Sequence, residues 1–237
     1  MDFSAVGALT FDVFGTVVDW RGSIIREGER LGAAHGITAD WERFADKWRG
    51  GYGLSMQRVR SGELPWTKID VLHRMILDEL LEEFGITGLS EEEIDHFNRA
   101  WHRLDAWPDS ANGLSRLGKR FVTATLSNGN VALLTNMAKH AGLPWDCILS
   151  AEIFNHYKPD PEVYLGAADM LGFKPEEVMM VAAHKGDLKS ANALGLKTGF
   201  VPRPMERGPR AEIDTSSEPW IDITASDFED LATKLGT

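Results

Sequence analysis

Cysteine is nearly absent from this sequence, because Cys147 is the only one among 237 residues. A disulfide framework and a thiolate metal cluster are therefore excluded. Positive charge is also scarce: 25 Lys and Arg residues face 36 Asp and Glu residues, which leaves a net charge of −11. This balance disfavours a surface that binds nucleic acid or an anionic membrane, and we expect neither partner.

Long hydrophobic runs are missing as well. No stretch approaches about 18 consecutive apolar residues, so we expect no transmembrane helix. The first residues, MDFSAVGALTFDVF, have neither the basic start nor the long apolar run of a signal peptide. We therefore expect a soluble cytoplasmic protein.

The overall composition is that of a folded protein. Hydrophobic residues make up 43% of the chain and charged residues 26%, which excludes intrinsic disorder. The length suits one large α/β domain, or a core of about 150 residues that carries an insertion.

Short apolar, β-prone segments recur along the chain, and a helical pattern follows most of them. They are Ala8–Phe14, Phe121–Leu126, Cys147–Leu149, Val178–Ala183 and Thr198–Val201, with a last short run around Ile221–Ile223. This alternation predicts an α/β fold with a Rossmann-like parallel sheet built from βαβ units. The polar, proline-rich segment Pro202–Pro219 predicts a surface loop.

Residues 21–105 show helical periodicity and no convincing buried strand. Trp41, Phe44 and Trp48 share one helical face, and Ser90 with Glu93 has the pattern of a capping box. We interpret the aromatic residues as the core of a helix bundle rather than as ligand contacts. The sequence therefore predicts a helical cap, residues 21–105, inserted into an α/β core formed by residues 1–20 and 106–237.

Polar side chains follow the predicted strands at their carboxyl ends, where open α/β sheets bind their ligands. They are Asp12 with Thr16, Ser127 with Asn128, Lys158 in a loop, and Asp187. Asp12 is the most informative, because a carboxylate inside the apolar run LTFDVFG is costly to bury unless cations or hydrogen bonds compensate it. Taken singly, most of these residues also fit an ordinary turn or helix cap. Their order and spacing together favour a functional site.

Four segments of the core carry a resemblance to a known family. They are Phe11–Thr16, Leu126–Gly129, Tyr157–Asp160 together with Tyr164, and Val181–Asp187. In this order they resemble the haloacid dehalogenase superfamily, and more closely its L-2-haloacid dehalogenase branch, whose cap falls where the helical insertion falls here. The resemblance implies the fold of that superfamily and hydrolysis of short L-2-haloacids to 2-hydroxyacids with inversion at C2.

The dehalogenase branch is favoured by which acidic residues are missing. Phosphatases of the superfamily need a second Asp two residues after the nucleophile and an acidic residue after a later strand, to protonate the leaving alcohol and help hold Mg²⁺. Phe14 and Ala183 occupy those positions. Halide leaves without protonation, so we expect no metal and no cofactor. A Mg²⁺-dependent phosphatase and a non-catalytic interaction protein are the alternatives.

The resemblance also implies roles for the polar residues. Asp12 would displace the halide and form an ester, and Asp187 would orient or activate the water that hydrolyses it. Lys158 would neutralise Asp12. Thr16 and Asn128 would hold Asp12 or the carboxylate of the substrate.

The remaining site residues are implied in the same way. Ser127 would join the groups that bind the substrate carboxylate, and Phe14 and Tyr164 would line the pocket, Tyr164 beside Lys158. Arg49 on the cap would receive the departing halide, with a solvated arginine at a helix end as the alternative. Similar enzymes often pair through their caps, so the small haloacid substrate and a second copy of the chain are the implied partners.

The chain departs from the family pattern at three positions. The family usually has serine, asparagine and an aromatic residue where Ala182, His184 and Gly186 stand here. We expect His184 to take over the hydrogen bonds of the asparagine. A histidine adds a group that titrates near pH 6.5 and a second donor when protonated. We therefore expect a preference for haloacetates and short 2-haloacids and hypothesise detectable hydrolysis of fluoroacetate.

Overall fold

A computed structural model describes residues 3–237. Within them the chain forms eight strands: β1 (Ala8–Phe11), β2 (Val18–Asp19), β3 (Asp105–Ala106), β4 (Val122–Ser127), β5 (Cys147–Ser150), β6 (Val178–Ala182), β7 (Lys197–Phe200) and β8 (Ile223–Thr224). Six of them make one parallel sheet of order β5-β4-β1-β6-β7-β8, and β2 pairs with β3 in antiparallel orientation. The predicted α/β fold with a parallel sheet is confirmed.

Helices fill the connections. They are α1 (Trp20–His35), α2 (Trp41–Arg60), α3 (Ile69–Glu83), α4 (Glu91–Asn98), α5 (Ser110–Leu117), α6 (Val131–Ala141), α7 (Ala151–Phe154), α8 (Pro161–Leu171), α9 (Lys185–Ala193) and α10 (Phe228–Lys234), with 3-10 turns at Arg99–Arg103 and Pro175–Glu177. In the part of the chain that the structure describes, no helix is long and apolar enough to cross a membrane. Helices therefore supply the layers that cover the sheet.

Strand β1 lies in the middle of the sheet and is buried on both faces. Ala8 belongs to the apolar cluster on one face, whereas Leu9 and Phe11 belong to the larger cluster on the other. Successive side chains of a strand point to opposite faces, so a strand covered on both sides must be largely apolar. This requirement explains why the run before Asp12 is apolar except for Thr10, whose buried hydroxyl donates to the Met179 carbonyl at 3.5 Å.

Helices α1 to α4 lie between β2 and β3, so the paired strands mark where the chain leaves for these helices and returns. Trp41, Phe44 and Trp48 of α2 are buried and pack with Phe97 of α4, which confirms the bundle-core interpretation. The capping box that begins α4 is formed as predicted. The division into a core of residues 1–20 and 106–237 and a cap of residues 21–105 stays a prediction, and residues 1–2 lie outside the described residues.

Strand β1 is shorter than predicted. It ends at Phe11 rather than Phe14, although the Asp12 N–H still donates to the Val181 carbonyl at 3.0 Å. Gly15 then adopts a left-handed conformation with φ of 85°, and its N–H reaches the Val18 carbonyl at 3.1 Å. This turn, which suits glycine, leaves Asp12 at the edge of the sheet rather than inside it.

The interpretation of Pro202–Pro219 as a surface loop is wrong for its first residues. Arg203 and Glu206 are buried. The Arg203 guanidinium pairs with both carboxylate oxygens of Asp109, at 2.7 and 2.8 Å, and donates to the Thr16 carbonyl at 2.8 Å. A bidentate pair of this kind fixes the loop against the sheet edge, close to Asp12.

Candidate active site

The carboxylate of Asp12 is buried, with 8% of the residue exposed, and three donors surround it. Its Oδ1 accepts from Lys158 Nζ at 3.1 Å, whereas its Oδ2 accepts from Thr16 Oγ1 at 2.8 Å and from His184 Nδ1 at 3.0 Å. Burial raises the pKa of Asp12, but the charge of Lys158 and the bonds from His184 and Thr16 hold it far below its usual range. Asp12 is therefore an ionised carboxylate at neutral pH, and its side chain contacts Lys158, Thr16 and His184 instead of capping a turn or helix.

The ammonium of Lys158 lies between two carboxylates. Besides Asp12 it donates to Asp187 Oδ2 at 2.5 Å. Burial lowers the pKa of Lys158, but the two carboxylates outweigh burial and raise it. Asn128 fixes the loop, because its Oδ1 accepts from the Lys158 backbone N–H at 2.7 Å. Lys158 is therefore a charged group of fixed position.

Asp187 lies in the first turn of α9, but its side chain does not cap that helix. It bonds to Lys158 and accepts from the hydroxyl of Tyr164 at 2.5 Å. Burial and the neighbouring charge of Asp12 raise the pKa of Asp187 in spite of Lys158. A carboxylate whose pKa is raised is a stronger base than an exposed one, as proton abstraction from water requires.

His184 is held between two carboxylates. While Nδ1 faces Asp12, Nε2 lies 3.0 and 2.9 Å from the two carboxylate oxygens of Glu206. Glu206 also accepts from Trp20 Nε1 at 3.0 Å. Burial lowers the pKa of His184, but the bonds to the two carboxylates raise it to about 10. Glu206 lies in the segment predicted to be a surface loop, and no motif of the sequence marks it as a site residue.

A cavity of about 330 Å³ opens above these groups. It is lined by Asp12, Phe14, Arg49, Tyr52, Asn128, Lys158, Pro159, Tyr164, His184, Gly186, Asp187 and Ser190. Arg49 is half-buried in the middle of α2, and its guanidinium carbon lies 4.2 Å from the centroid of Tyr52 and 5.9 Å from that of Phe14. It is therefore not a solvated arginine at a helix end.

Two of the predicted residues lie behind the cavity wall. Ser127 is fully buried, and its hydroxyl accepts a hydrogen bond from the Gly129 N–H at 3.2 Å, so its side chain does not line the cavity. Thr16 is also fully buried, and its hydroxyl accepts from the Ala183 N–H at 2.9 Å while it donates to Asp12. The Ser127 side chain does not line this cavity, and its contact with a substrate stays a prediction, whereas Thr16 acts on Asp12.

The side chains present do not fit a divalent cation. Phe14 and Ala183 are apolar, and the ammonium of Lys158 already bonds to both Asp12 and Asp187. Within residues 3–237 there is no group of three or more His, Cys, Asp or Glu side chains that could hold a metal. These side chains can instead direct the ionised carboxylate of Asp12 towards an uncharged carbon atom of a small substrate.

Comparison with known proteins agrees with this geometry. A family model of haloacid dehalogenase-like hydrolases matches residues 6–195. The (S)-2-haloacid dehalogenase 1 of Pseudomonas sp. (strain CBS-3) is 32% identical over 207 residues, which are 81% of this chain and 83% of that protein. Its similarity therefore extends over the core and the helical insertion.

Two solved structures are more similar still. The L-2-haloacid dehalogenase PA0810 is 48% identical with a TM-score of 0.94, covering 97% of this chain and 98% of that one. The defluorinating L-2-haloacid dehalogenase Rha0230 is 46% identical with a TM-score of 0.95, covering 98% and 96%. The chain thus belongs to the haloacid dehalogenase-like hydrolase family, in the branch of the (S)-2-haloacid dehalogenases.

Proposed function

We propose that this enzyme hydrolyses short L-2-haloacids and haloacetates to 2-hydroxyacids through an ester on Asp12, without a metal. The observation that carries the proposal is the ionised carboxylate of Asp12, which opens onto a small cavity also lined by Arg49. Phe14 and Ala183 stand where a phosphatase of this family needs acidic residues. The names of the similar proteins support the same activity.

In the first step the Asp12 carboxylate attacks C2 of the substrate from the side opposite the halogen, and the halide leaves with the electron pair. Backside attack inverts the configuration at C2. Arg49 is the cavity cation outside the Asp12 cluster, and it receives the halide beside the rings of Tyr52 and Phe14. In the second step Asp187 takes a proton from the water that attacks the ester carbonyl carbon of Asp12.

The shape of the cavity favours small substrates. Its volume of about 330 Å³ is at the lower end of the range for ligand pockets. Gly186 contributes no side chain, whereas Phe14, Tyr52 and Pro159 form apolar walls. Haloacetates and 2-halopropionates are therefore the proposed substrates.

Fluoroacetate is included among them. Arg49 supplies charged N–H donors in the cavity, and a compact fluoride ion depends strongly on such donors. Both ring nitrogens of His184 face carboxylates, so His184 is not one of these donors. The similar protein described as defluorinating supports this proposal. A fluoride electrode tests it: fluoroacetate is expected to release fluoride, and none above background under conditions where chloroacetate turns over readily would refute it.

The main test uses the two enantiomers of 2-chloropropionate with and without EDTA. We expect chloride only from the L enantiomer, unchanged by EDTA, with D-lactate as the product. Equal rates on both enantiomers or retention of configuration would contradict the proposal. Mg²⁺-dependent hydrolysis of p-nitrophenyl phosphate without chloride release would identify a phosphatase instead.

A homodimer through the cap is the proposed assembly. Leu54 of α2 and Val71 of α3 are exposed apolar residues on the helical insertion. Exposed apolar side chains of this kind are candidates for burial in an interface. Light scattering should give a dimer mass, and Leu54→Glu should lower it towards that of one chain; a monomeric wild type would contradict the assembly.

A further inference from the structure

The two oxygens of Asp12 are not equivalent. Oδ2 accepts two hydrogen bonds, from Thr16 and His184, whereas Oδ1 accepts one, from Lys158. A carboxylate oxygen offers about two lone-pair positions. Both positions of Oδ2 are therefore occupied, and Oδ1 keeps a lone pair with which it can form a bond to carbon.

The ring of His184 must donate from both nitrogens. Nδ1 faces the ionised Asp12, and Nε2 faces the carboxylate of Glu206 at 2.9 Å. A neutral imidazole has one N–H, whereas an imidazolium has two. Since neither carboxylate can donate when ionised, this geometry requires the imidazolium form.

Glu206 is built into the fold and is not a mobile surface group. It is 4% exposed, and Trp20 donates to its Oε1 at 3.0 Å. The bidentate pair between Arg203 and Asp109 holds its loop, and the Glu206 N–H donates to the Arg203 carbonyl at 3.0 Å. A buried carboxylate needs a charged partner, and among these contacts His184 is the cationic one.

We propose that Oδ1 of Asp12 is the attacking atom, that Thr16 and the His184 imidazolium stabilise the oxyanion at Oδ2 during ester hydrolysis, and that Glu206 positions His184 and keeps it charged in that step. This inference rests on the proposed function. His184 is then a catalytic residue, because it touches a reacting atom. Glu206 is a positioning residue, because it acts through His184.

Both chemical steps conserve atoms and charge. Oδ1 forms a bond to C2 and halide departs with the bonding pair, which leaves Oδ2 as the carbonyl oxygen of a neutral ester. Water then adds to Cγ, one of its protons passes to Asp187, and the carbonyl electrons move onto Oδ2. When the carbonyl re-forms, the Cγ–Oδ1 bond breaks and the alkoxide takes the proton from Asp187. The new Asp12 carboxyl releases the second water proton to solvent, so one proton and one halide ion leave in each turnover.

Glu206 matters most in the second step, for an electrostatic reason. In the free enzyme both carboxylates attract the proton of His184. Once Asp12 is an ester its charge is gone, and burial then favours the neutral ring unless Glu206 opposes it. A charged donor to an oxyanion is roughly twice as strong as a neutral one.

Glu206→Gln separates the two steps. With L-2-chloropropionate in a rapid-quench experiment, the variant should release a burst of one chloride per active site, while lactate forms about 10- to 100-fold more slowly than in the wild type. Intact-protein mass spectrometry should show the ester on Asp12. The matched control is Glu212→Gln, which removes a charge from an exposed residue of the same loop and should behave like the wild type.

The results that overturn the inference are distinct from failure of the proposed function. Equal slowing of chloride and lactate without accumulated ester would contradict the role of Glu206 while leaving the dehalogenase activity intact. A wild type that releases no chloride would refute the proposed function itself. If Glu206→Gln does not fold, Glu206→Asp keeps a carboxylate at shorter reach, and it should still slow lactate more than chloride; equal slowing would again overturn the role.

A double-mutant cycle tests whether Glu206 acts through His184. In a His184→Asn background no imidazolium remains, so adding Glu206→Gln should change the rate of lactate release by less than about threefold, because the two residues act as one unit. Independent, multiplicative losses from the two substitutions would show that Glu206 supports the fold or the substrate by another route.

Discussion

Two histidines, one on helix α3 and one at the sheet edge, have pKa values shifted in opposite directions. His73 of α3 stacks on Trp101 with ring centroids 4.3 Å apart, and within residues 3–237 neither of its ring nitrogens has a hydrogen-bond partner. Burial lowers the pKa of His73 to about 3, with Asp70 opposing only in part. His184, by contrast, is held between two carboxylates, and its pKa is about 10.

The difference shows that the partner, and not burial alone, decides whether a buried group is charged. On the sheet side of the cavity every charge has an opposite charge in contact with it. On the helix side the cavity wall is aromatic, and Arg49 is its cation, held over Tyr52. In the proposed reaction a haloacid between the two sides would have its reacting carbon beside carboxylates and its halogen beside rings and a guanidinium.

The largest expected effect comes from removing the charge of Asp12, which lies among the ion pairs on the sheet side of the cavity. Asp12→Asn should lower kcat/KM for L-2-chloropropionate by about 10⁴-fold or more, because an amide cannot act as the nucleophile. Chloride release measures the loss. A single turnover of the wild type in ¹⁸O water should give unlabelled lactate, since its hydroxyl oxygen comes from Asp12. Label in that first product would mean direct attack by water and would eliminate the ester.

A smaller effect is expected from a substitution on the helix side of the cavity, where the wall is aromatic. Arg49→Lys keeps the charge but loses the planar group that lies across Tyr52, so we expect kcat/KM to fall about 10- to 100-fold. The control is Arg43→Lys on the same helix, where the guanidinium lies 5.6 Å from the Phe84 ring and does not line the cavity. Equal losses in the two variants would mean that the cavity does not use Arg49.

The contrast between the two sides also explains what the sequence could predict. Asp12 could be identified because a carboxylate in a largely apolar run conflicts with its surroundings, and such a conflict marks a site. Lys158 and Asp187 could be placed near it because the carboxyl ends of parallel strands meet at one edge. The residues Trp41, Phe44 and Trp48 recur at helical spacing on α2, and this periodicity alone predicts that they are buried.

Glu206 could not be found in this way. Its burial depends on the pair between Arg203 and Asp109, two residues far apart in the sequence, and local composition around it is that of an exposed turn. The position of Ser127 behind the cavity wall was hidden for a related reason: strand ends are visible in a sequence, but the direction of one side chain at a strand end depends on register and twist.

The lowered pKa of His73 predicts how the stability of the protein depends on pH. Its folded pKa lies below the unfolded value of about 6.5, so the unfolded state binds more protons below that pH and the wild type loses stability as the pH falls. His73→Leu removes this penalty. Relative to the wild type it should gain up to about 1.4 kcal/mol of unfolding free energy for each pH unit below 6.5, until about pH 3.

Urea unfolding of both proteins between pH 7 and pH 4 measures that difference. The control is Ile76→Val on the same helix, which changes a buried apolar side chain and no titratable group, so its difference from the wild type should not vary with pH. A His73→Leu difference that stays constant across this range would mean that His73 is protonated in the folded protein, and the contrast with His184 would disappear.

The smallest expected effect comes from an ion pair that is short but only partly buried. Arg60 at the end of α2 reaches Asp160, the residue just before α8, at 2.6 Å. This distance is shorter than the 3.1 Å between Lys158 and Asp12, yet solvent screens the pair. Arg60→Gln should therefore lower the free energy of unfolding by about 1 kcal/mol at most, and less at high salt.

Urea unfolding at low and high NaCl measures this effect, with Arg58→Gln as the matched control because Arg58 makes a 2.7 Å pair with Glu63 on the exposed surface. Both variants should lose similar, small amounts of unfolding free energy, because the distance between two charges does not by itself set the strength of an ion pair in water. A loss of several kcal/mol specific to Arg60 would mean that the contact between α2 and α8 is as protected as the pairs around Asp12. The partial exposure of Arg60 and Asp160 would then not weaken their ion pair as solvent screening predicts.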